Sequence, residues 1–551
     1  MHIYKSKFQD LVLPKTNLFS FITSNPKGTP ESFHSITDAV TKQVITLQEW
    51  KRDTLRWATG LQSIGFKRGD TLAIFSFNQI DYSLVMFGPL VLGAVTTTAS
   101  SAYNAEELAL QLSDSRASVM VTHPESLATA RAAAKKVGLP EEKIFLFGDR
   151  TIDGFRPYSS LMPPVGTPRD KLANVVNLDG EAAVKTTALI CYSSGTTGRS
   201  KGVELTHYGL SSNLLQISMV DPEFPPAENA SLSVLPMYHM YSIAINLMYG
   251  LYSGMPNIVL QKFVFEDFLE AIQRHKIVTL NLVPPQVLLL AKSPLVDKYD
   301  LSSVRFLTAA AAPCSRELVE ALTARFPKIG FRQAYGMTEL SPASHFGQYE
   351  NQVHGSVGIM LPNQEIRLVD PETGTDVPKG EAGEVWIRGP NVMKGYLNNP
   401  AATKDTIDPE GWLHTGDIGL EDNEGNFFIV DRLKELIKYK GFQVPLAELE
   451  AVLVGHPHIS DAAVIGVEDP SRATEVPLAF VVRNESTAEG KVLTDKDVTT
   501  YVASHVAQHK QLRGGVRFID AIPKSPSGKI LRRLLRDHLK EEPQSPPKAR
   551  L

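Results

Sequence analysis

The stretch CYSSGTTGRSKG at residues 191–202 packs small hydroxyl residues, glycines and two cations into a dozen positions. Gly195, Gly198 and Gly202 permit backbone conformations that turn consecutive N–H groups toward an anion. The hydroxyls of Ser193, Ser194, Thr196 and Thr197 donate to phosphate oxygens, and Lys201 supplies charge. The chemistry is phosphate binding, but not with the spacing of the common nucleoside-triphosphatase loop, G-x-x-x-x-G-K-[ST]. The position that would be its second glycine is Ser200, and Lys201 is followed by Gly202. A hydrolase or kinase of that loop class, which would leave ADP, is therefore disfavoured.

Such a loop needs rigid flanks. Thr187-Ala-Leu-Ile-Cys-Tyr192 reads as a buried strand, as does Thr71–Ser76, while Thr206 N-caps a helix with Leu210, Leu214 and Ile217 on one face. The loop is thus expected between a strand and a helix, a few residues ahead of the helix start. The alternation of β-branched runs with helical patterns over most of the chain predicts layered α/β architecture. The apolar stretch from Leu84 to Val95, broken by Gly88-Pro89, is too short to span a membrane and predicts a buried helix. Near residue 365 the texture changes: Glu365–Asp370 and Gly383–Arg388 alternate around a Pro371-Glu-Thr-Gly374 turn, predicting antiparallel β structure with one wet face. After Asp431 comes a basic stretch, Lys434 to Lys440. A helix carrying Leu446, Leu449, Val452 and Leu453 follows it. Strands come next at Ala462–Val467 and Leu478–Val482, then a helix capped by Thr494 and Asp497. There are no internal repeats. The proline-rich segment from Glu542 onward is expected to be an extended tail.

Composition narrows the class. With 551 residues, 43% hydrophobic and 21% charged, the chain has the makings of several globular domains. A net charge of −4 argues against a nucleic-acid binder, so any anionic ligand must be met by local cations and backbone N–H groups. Two cysteines, Cys191 and Cys314, exclude a disulfide framework and suit a reducing compartment. No cysteine or histidine pair has zinc-ligand spacing, and the first residues lack the apolar core of a signal peptide.

The loop, with five further motifs in order, resembles the adenylate-forming superfamily, and most closely its branch of 4-coumarate–CoA ligase-like and firefly-luciferase-like acyl-CoA synthetases. The motifs are Leu235-Pro-Met-Tyr-His-Met-Tyr-Ser242, Gln333-Ala-Tyr-Gly-Met-Thr-Glu339, Gly411-Trp-Leu-His-Thr-Gly-Asp417, the Asp431–Gln443 segment, and Pro523-Lys-Ser-Pro-Ser-Gly-Lys529. The resemblance implies an α/β fold with a large N-terminal domain, 1–432, of two α/β layered subdomains plus a small β-barrel at about 350–430. A small, mobile α+β C-terminal domain, 433–540, and a flexible tail, 541–551, would follow. It implies an ATP-dependent acid–CoA ligase that activates an aryl, medium-chain or specialised carboxylic acid as acyl-AMP, then passes the acyl group to CoA. A free-standing adenylation enzyme that loads a carrier protein shares every AMP motif and stands as the alternative.

The same resemblance assigns roles. Lys529 would stabilise charge on the α-phosphate, and His239 would place the acid's carboxylate. Glu339 would hold Mg²⁺ on the phosphates, a hard oxygen for a hard cation. Thr338 would touch the α-phosphate, and Asp417, assisted by Arg432, would accept the ribose hydroxyls. Ala310, Ala311, Gln333, Tyr335, Gly336, Lys434 and Gln443 complete the nucleotide set. Tyr241, Ala309 and Ala334 would line the acyl pocket, and Lys262, Lys440 and Gly441 would meet CoA, with Lys438 serving the thioester step. Lys438 and Lys529 lie ~90 residues apart on one small domain, so rotation about a hinge at Lys434 between half-reactions is expected. Two alanines, Ala310 and Ala334, stand where the family usually has glycine, and an added methyl narrows a packed wall. Ala549-Arg550-Leu551 resembles the small–basic–Leu peroxisomal address, implying an import receptor as partner and a peroxisomal, otherwise cytoplasmic, location.

Overall fold

A computed structural model describes residues 2–193, 200–220, 228–349, 353–433, 435–439, 442–469, 474–485, 487–525 and 528–541, without the side chains of 438, 442, 443 and 541. Among the described residues the chain builds two large α/β layers, a small antiparallel sheet and a C-terminal α+β unit.

The first layer is a seven-stranded sheet ordered Gly395–Tyr396, Lys201–Thr206, Thr187–Ser193, Val95–Ala99, Thr71–Phe75, Ala117–Thr122 and Ile144–Leu146. Thr71–Phe75 is buried on both faces, as a central parallel strand must be. The apolar stretch forms the buried helix Tyr82–Val91, which runs through Pro89. Gly88 is what lets it dock, because a Cβ there would fall 2.1 Å from the Trp57 ring. Trp57 comes from helix Leu47–Ser63, started by a capping box in which Thr46 and Glu49 satisfy each other's backbone N–H groups.

The second layer is a nine-stranded sheet whose central strands Ser231–Ser233, Thr279–Leu282, Phe306–Ala309 and Gly330–Gly336 run parallel. At one edge His34–Asp38 pairs with Asn257–Val259, and at the other Ala343–Phe346 returns antiparallel to Gly330–Gly336. The strand ends at Ala309 and Gly336 open toward the loops that carry the motifs.

The expected antiparallel unit is a five-stranded sheet of Tyr4–Lys5, Glu365–Val369, Gly383–Arg388, Leu413–Glu421 and Phe427–Arg432. Its first strand comes from the far N-terminus, which local alternation could not announce. The wet face expected of Glu365–Asp370 is also corrected. Arg367 is 8% exposed, with its guanidinium beside the Trp386 and Trp412 rings and its charge paired with Asp376 at 2.7 Å. Two indoles and a carboxylate let a polar position go inside.

The C-terminal unit packs helices Leu446–Gly455 and Asp495–His505 on strands Ile459–Asp469, Thr474–Arg483 and Gly515–Phe518 around Leu449, Leu453, Val464, Val481 and Val498. Its capping box joins Thr494 and Asp497, as the sequence predicts. No described helix is long and apolar enough to cross a membrane.

Candidate active site

The strand before the phosphate motif is followed by a second strand, not directly by a helix. Thr187–Ser193 and Lys201–Thr206 pair antiparallel, with Ser193 opposite Lys201. The helix comes one element later, at His207–Ser218, with Thr206 accepting the Gly209 N–H at 3.0 Å. Ser194, Gly195, Thr196, Thr197 and Gly198 lie outside the described residues. Gly202 is needed for space rather than for an anion. Its backbone belongs to the ladder, and a Cβ would crowd Tyr192, Ile190 and Leu397 at 3.0–3.2 Å.

Glu339 lies in the short turn Thr338–Leu340 and is 6% exposed. One oxygen, Oε1, accepts from the Ser193 hydroxyl at 3.2 Å and the Tyr396 hydroxyl at 2.9 Å. Lys201 Nζ sits 4.5 Å above the Tyr396 ring. A carboxylate, two hydroxyls and a cation thus converge where the motif leaves its strand. Thr338 is partly buried beside them. Gly336 admits the crossing chain, since a Cβ there would fall 2.0 Å from the Pro342 carbonyl oxygen.

Asp417, 4% exposed, is held from two sides. Tyr335 donates its hydroxyl to Oδ2 at 2.6 Å, and Arg432 Nε lies 3.3 Å from Oδ1. Arg432 is the register partner of Asp417 across the small sheet, so strand pairing itself sets the ion pair. Burial pushes the Asp417 carboxyl up, and the Arg432 charge opposes it.

Lys529 belongs to the C-terminal unit, and its charge acts on the Asp417 carboxylate. Its turn is closed by the Ser525 N–H donating to the Lys529 carbonyl at 2.8 Å and the Lys529 N–H donating to Ser525 Oγ at 3.1 Å. Gly528, at φ +80°, packs against Val283 and Pro285 of the large N-terminal body, where a Cβ would be 3.1 Å from Val283. Burial pushes the Lys529 ammonium down to about 8, the Arg432 charge adds to that, and Glu435 and Asp417 pull it back. The same ammonium acts on His239, whose ring is pushed down to about 4, mainly by burial. His239 Nδ1 accepts the Tyr241 N–H at 3.3 Å. The neutral ring therefore carries its proton on Nε2, as a donor suited to a carboxylate.

Beside His239 a small apolar cluster of Leu235, Tyr241 and Val283 packs with Ile245 and Ala310. Tyr241 donates its hydroxyl to the Thr308 carbonyl at 3.3 Å, which fixes the ring as a wall. Ala309 is buried at the strand end, and Ala334 is half-buried opposite Phe346. Ala311 turns the chain with φ +73°, a left-handed conformation costly for a residue with a Cβ. The Gln333 amide accepts the Cys314 N–H at 2.8 Å and donates to the Ser356 carbonyl at 3.4 Å, which braces the strand.

The segments that meet here are also those of a known family. Residues 24–397 match the AMP-binding enzyme family, and residues 448–529 match the AMP-binding enzyme C-terminal domain. The chain belongs to the AMP-binding enzyme family. Among its relatives, 4-coumarate–CoA ligase 1 of Petroselinum crispum is 40% identical over 544 residues, covering 97% of this chain and 96% of its own. 4-coumarate–CoA ligase 2 of Nicotiana tabacum is 40% identical over 548 residues, covering 98% and 97%. The fold is similar to that of ATP-bound MatB from Rhodopseudomonas palustris, with TM-score 0.83, 27% identity and coverage of 96% and 99%.

In this AMP-binding enzyme Lys262 is, of the residues expected to meet CoA, the one whose side chain is described. Lys262 pairs with Glu125 at 2.6 Å and lies 4.2 Å above the Phe77 ring. Lys438 belongs to strand Ile437–Tyr439, paired with Phe442–Val444, whose Ile437 and Val444 are in the C-terminal core. Lys438 therefore moves only with that unit. Its side chain and that of Gln443 lie outside the described residues, as do Lys434, Lys440 and Gly441. Sequence reasoning missed Tyr396, Glu125 and Phe77, which carry no local pattern. Each acts through a partner more than a hundred residues away, apart from Tyr396 with Glu339 at 57 residues.

Proposed function

We propose that this AMP-binding enzyme is an ATP-dependent acid–CoA ligase. The observation that carries the reading is the docking of the Lys529 turn, through Gly528, on Val283 of the apolar cluster beside His239. In the first step a carboxylate oxygen attacks the ATP α-phosphorus. The new O–P bond forms in line with the breaking bond to the β-phosphate, and pyrophosphate leaves. His239 Nε2–H orients the carboxylate, Lys529 takes up the negative charge that builds on the α-phosphate, and Asp417 accepts the ribose hydroxyls. In the second step the CoA sulfur attacks the acyl carbon, the C–S bond forms, AMP leaves, and the thiol proton passes to solvent.

Magnesium fits the residues present. Among the described residues, Ser193 and Tyr396 donate to Glu339 Oε1, so Oε2 is the oxygen offered to a hard cation. Among the described residues no cluster of three or more acidic, histidine or cysteine side chains would hold a metal alone, which suits an ion carried largely by nucleotide phosphates. When bound, it would neutralise phosphate charge. The acid is proposed to be aryl or medium-chain, matched to the wall of Tyr241, Leu235, Val283 and Ala310.

Purified protein incubated with ATP, Mg²⁺, CoA and a panel of aliphatic and aryl acids should release AMP matched by acyl-CoA in mass spectrometry. AMP or acyl-AMP without acyl-CoA would move the reading to a carrier-protein loader. Because the free Lys529 ammonium sits near 8, kcat/KM for ATP in acyl-AMP formation should fall as pH rises through about 8, when the cation is lost. Lys529→Arg, charged throughout, should lose that limb, and an unchanged limb would count against Lys529 as its source. The Ala549-Arg550-Leu551 tripeptide supports a peroxisomal destination. A fluorescent fusion should enter peroxisomes intact and stay out when Leu551 is deleted.

A further inference from the structure

Asp431 is the penultimate residue of the small sheet's last strand, Phe427–Arg432, three residues before the hinge position at 434, and is 8% exposed. Its Oδ1 accepts the Arg432 N–H at 2.7 Å. Its Oδ2 accepts the N–H groups of Leu446 and, at 3.4 Å, Ala447. These two residues begin the helix Leu446–Gly455, on the other side of the hinge position. That helix has no cap of its own, because Pro445 stands at the N-cap and has no side-chain acceptor. The orphan donors and positive end of the helix are met instead by a buried carboxylate from the preceding unit.

The helix is fixed to the C-terminal unit by Leu446, Leu449 and Leu453, all in that unit's core. Its far end also lies on the N-terminal body. A Cβ on Gly455 would be 3.5 Å from Glu317, on helix Arg316–Arg325. Whatever holds this helix against the body holds Lys529 toward Asp417. Any rotation about position 434 that brings Lys438 forward carries the Leu446 and Ala447 N–H groups away from Asp431.

We infer that Asp431 is a positioning residue, a cap supplied across the hinge that selects the arrangement used for acyl-AMP formation. The inference rests on the two-step ligase reading, so its test includes a readout that needs no turnover. Cys191 and Cys314 are buried, which lets spin labels be placed on Lys404→Cys and Lys496→Cys, two exposed positions on either side of the hinge. In the full chain, Asp431→Ala should shift the label distances away from those of the parent. It should also slow acyl-AMP formation about 10-fold, the scale of one lost cap with its buried partners. Thioester formation from supplied acyl-AMP and CoA should hold or rise. Asp431→Asn keeps one acceptor for the helix and should fall between. Unchanged distances in Asp431→Ala, or equal loss of both half-reactions, would overturn the role of Asp431. A parent protein that forms no acyl-AMP would overturn the ligase reading, while the distances still decide whether Asp431 sets the arrangement.

Discussion

Lys529→Ala is expected to slow acyl-AMP formation by about 10²–10³-fold, the range for removing one preorganised donor to a developing charge, and to spare thioester formation from supplied acyl-AMP. Among the described residues, the cations whose charges act on Lys529 are committed to other partners. Arg432 is held by Asp417, and Arg532 by Glu435 and Glu450. Lys201 is placed over Tyr396, on the Glu339 side. The burial that pushes the Lys529 ammonium down also strengthens its pull on a phosphate, because fewer waters screen it. Pyrophosphate exchange into ATP would read the first half-reaction, and acyl-CoA formed from synthetic acyl-AMP the second. If both fall together, Lys529 is holding the fold or CoA rather than the α-phosphate.

The second large effect is on stability. Arg532, its side chain 10% exposed, starts helix Arg532–Glu541, with Nη1 3.1 Å from Glu435, Nη2 2.7 and 2.9 Å from the two Glu450 oxygens, and Nε donating to the Val464 carbonyl at 3.2 Å. Arg532→Leu leaves two largely buried carboxylates, each side chain 14% exposed, without their cation and should cost about 3 kcal/mol. The loss should depend on pH in a stated direction. Burial pushes the Glu450 carboxyl up to about 7 even against the pull of Arg532, and without the arginine it must rise further. A carboxyl raised in the folded state binds its proton more tightly there than in the unfolded chain. The deficit should therefore be small near pH 5 and grow as pH rises through 7. Urea unfolding at pH 5 and pH 8 checks this, and Glu450→Gln added to Arg532→Leu should recover stability at pH 8. A deficit equal at both pH values would mean that lost packing, not charge, dominates.

Much of this was legible in the sequence where the signal is local. Thr494 with Asp497 announces one helix start, Leu446, Leu449 and Leu453 give helix Leu446–Gly455 its inward face, and Thr206 caps where expected. The motifs give the site residues their places in order. Partners chosen by the tertiary fold were not legible. Lys201-Gly-Val-Glu-Leu-Thr206 is too short to distinguish a strand from a loop until Thr187–Ser193 lies beside it. Arg367 reads as solvated until two distant indoles cover it. Gln333 sits within a nucleotide motif, yet its amide is engaged by the backbone at Cys314 and Ser356. The meeting of Lys529 with Asp417, and of Asp431 with Leu446, depends on how the C-terminal unit docks, which no periodicity encodes.

The pairing of His34–Asp38 with Asn257–Val259 in the second sheet has a consequence for synthesis. At ~5–20 residues per second, the ribosome needs roughly 10–40 s to deliver the ~220 residues between them. Through that interval the early hairpin of His34–Asp38 with Val44–Thr46 emerges with one edge unpaired, while the first layer beside it is still being made. A nascent chain of this topology should therefore depend on chaperones that shield strand edges, and should be vulnerable to stalling before residue 259, when the hairpin still lacks the strand it pairs with.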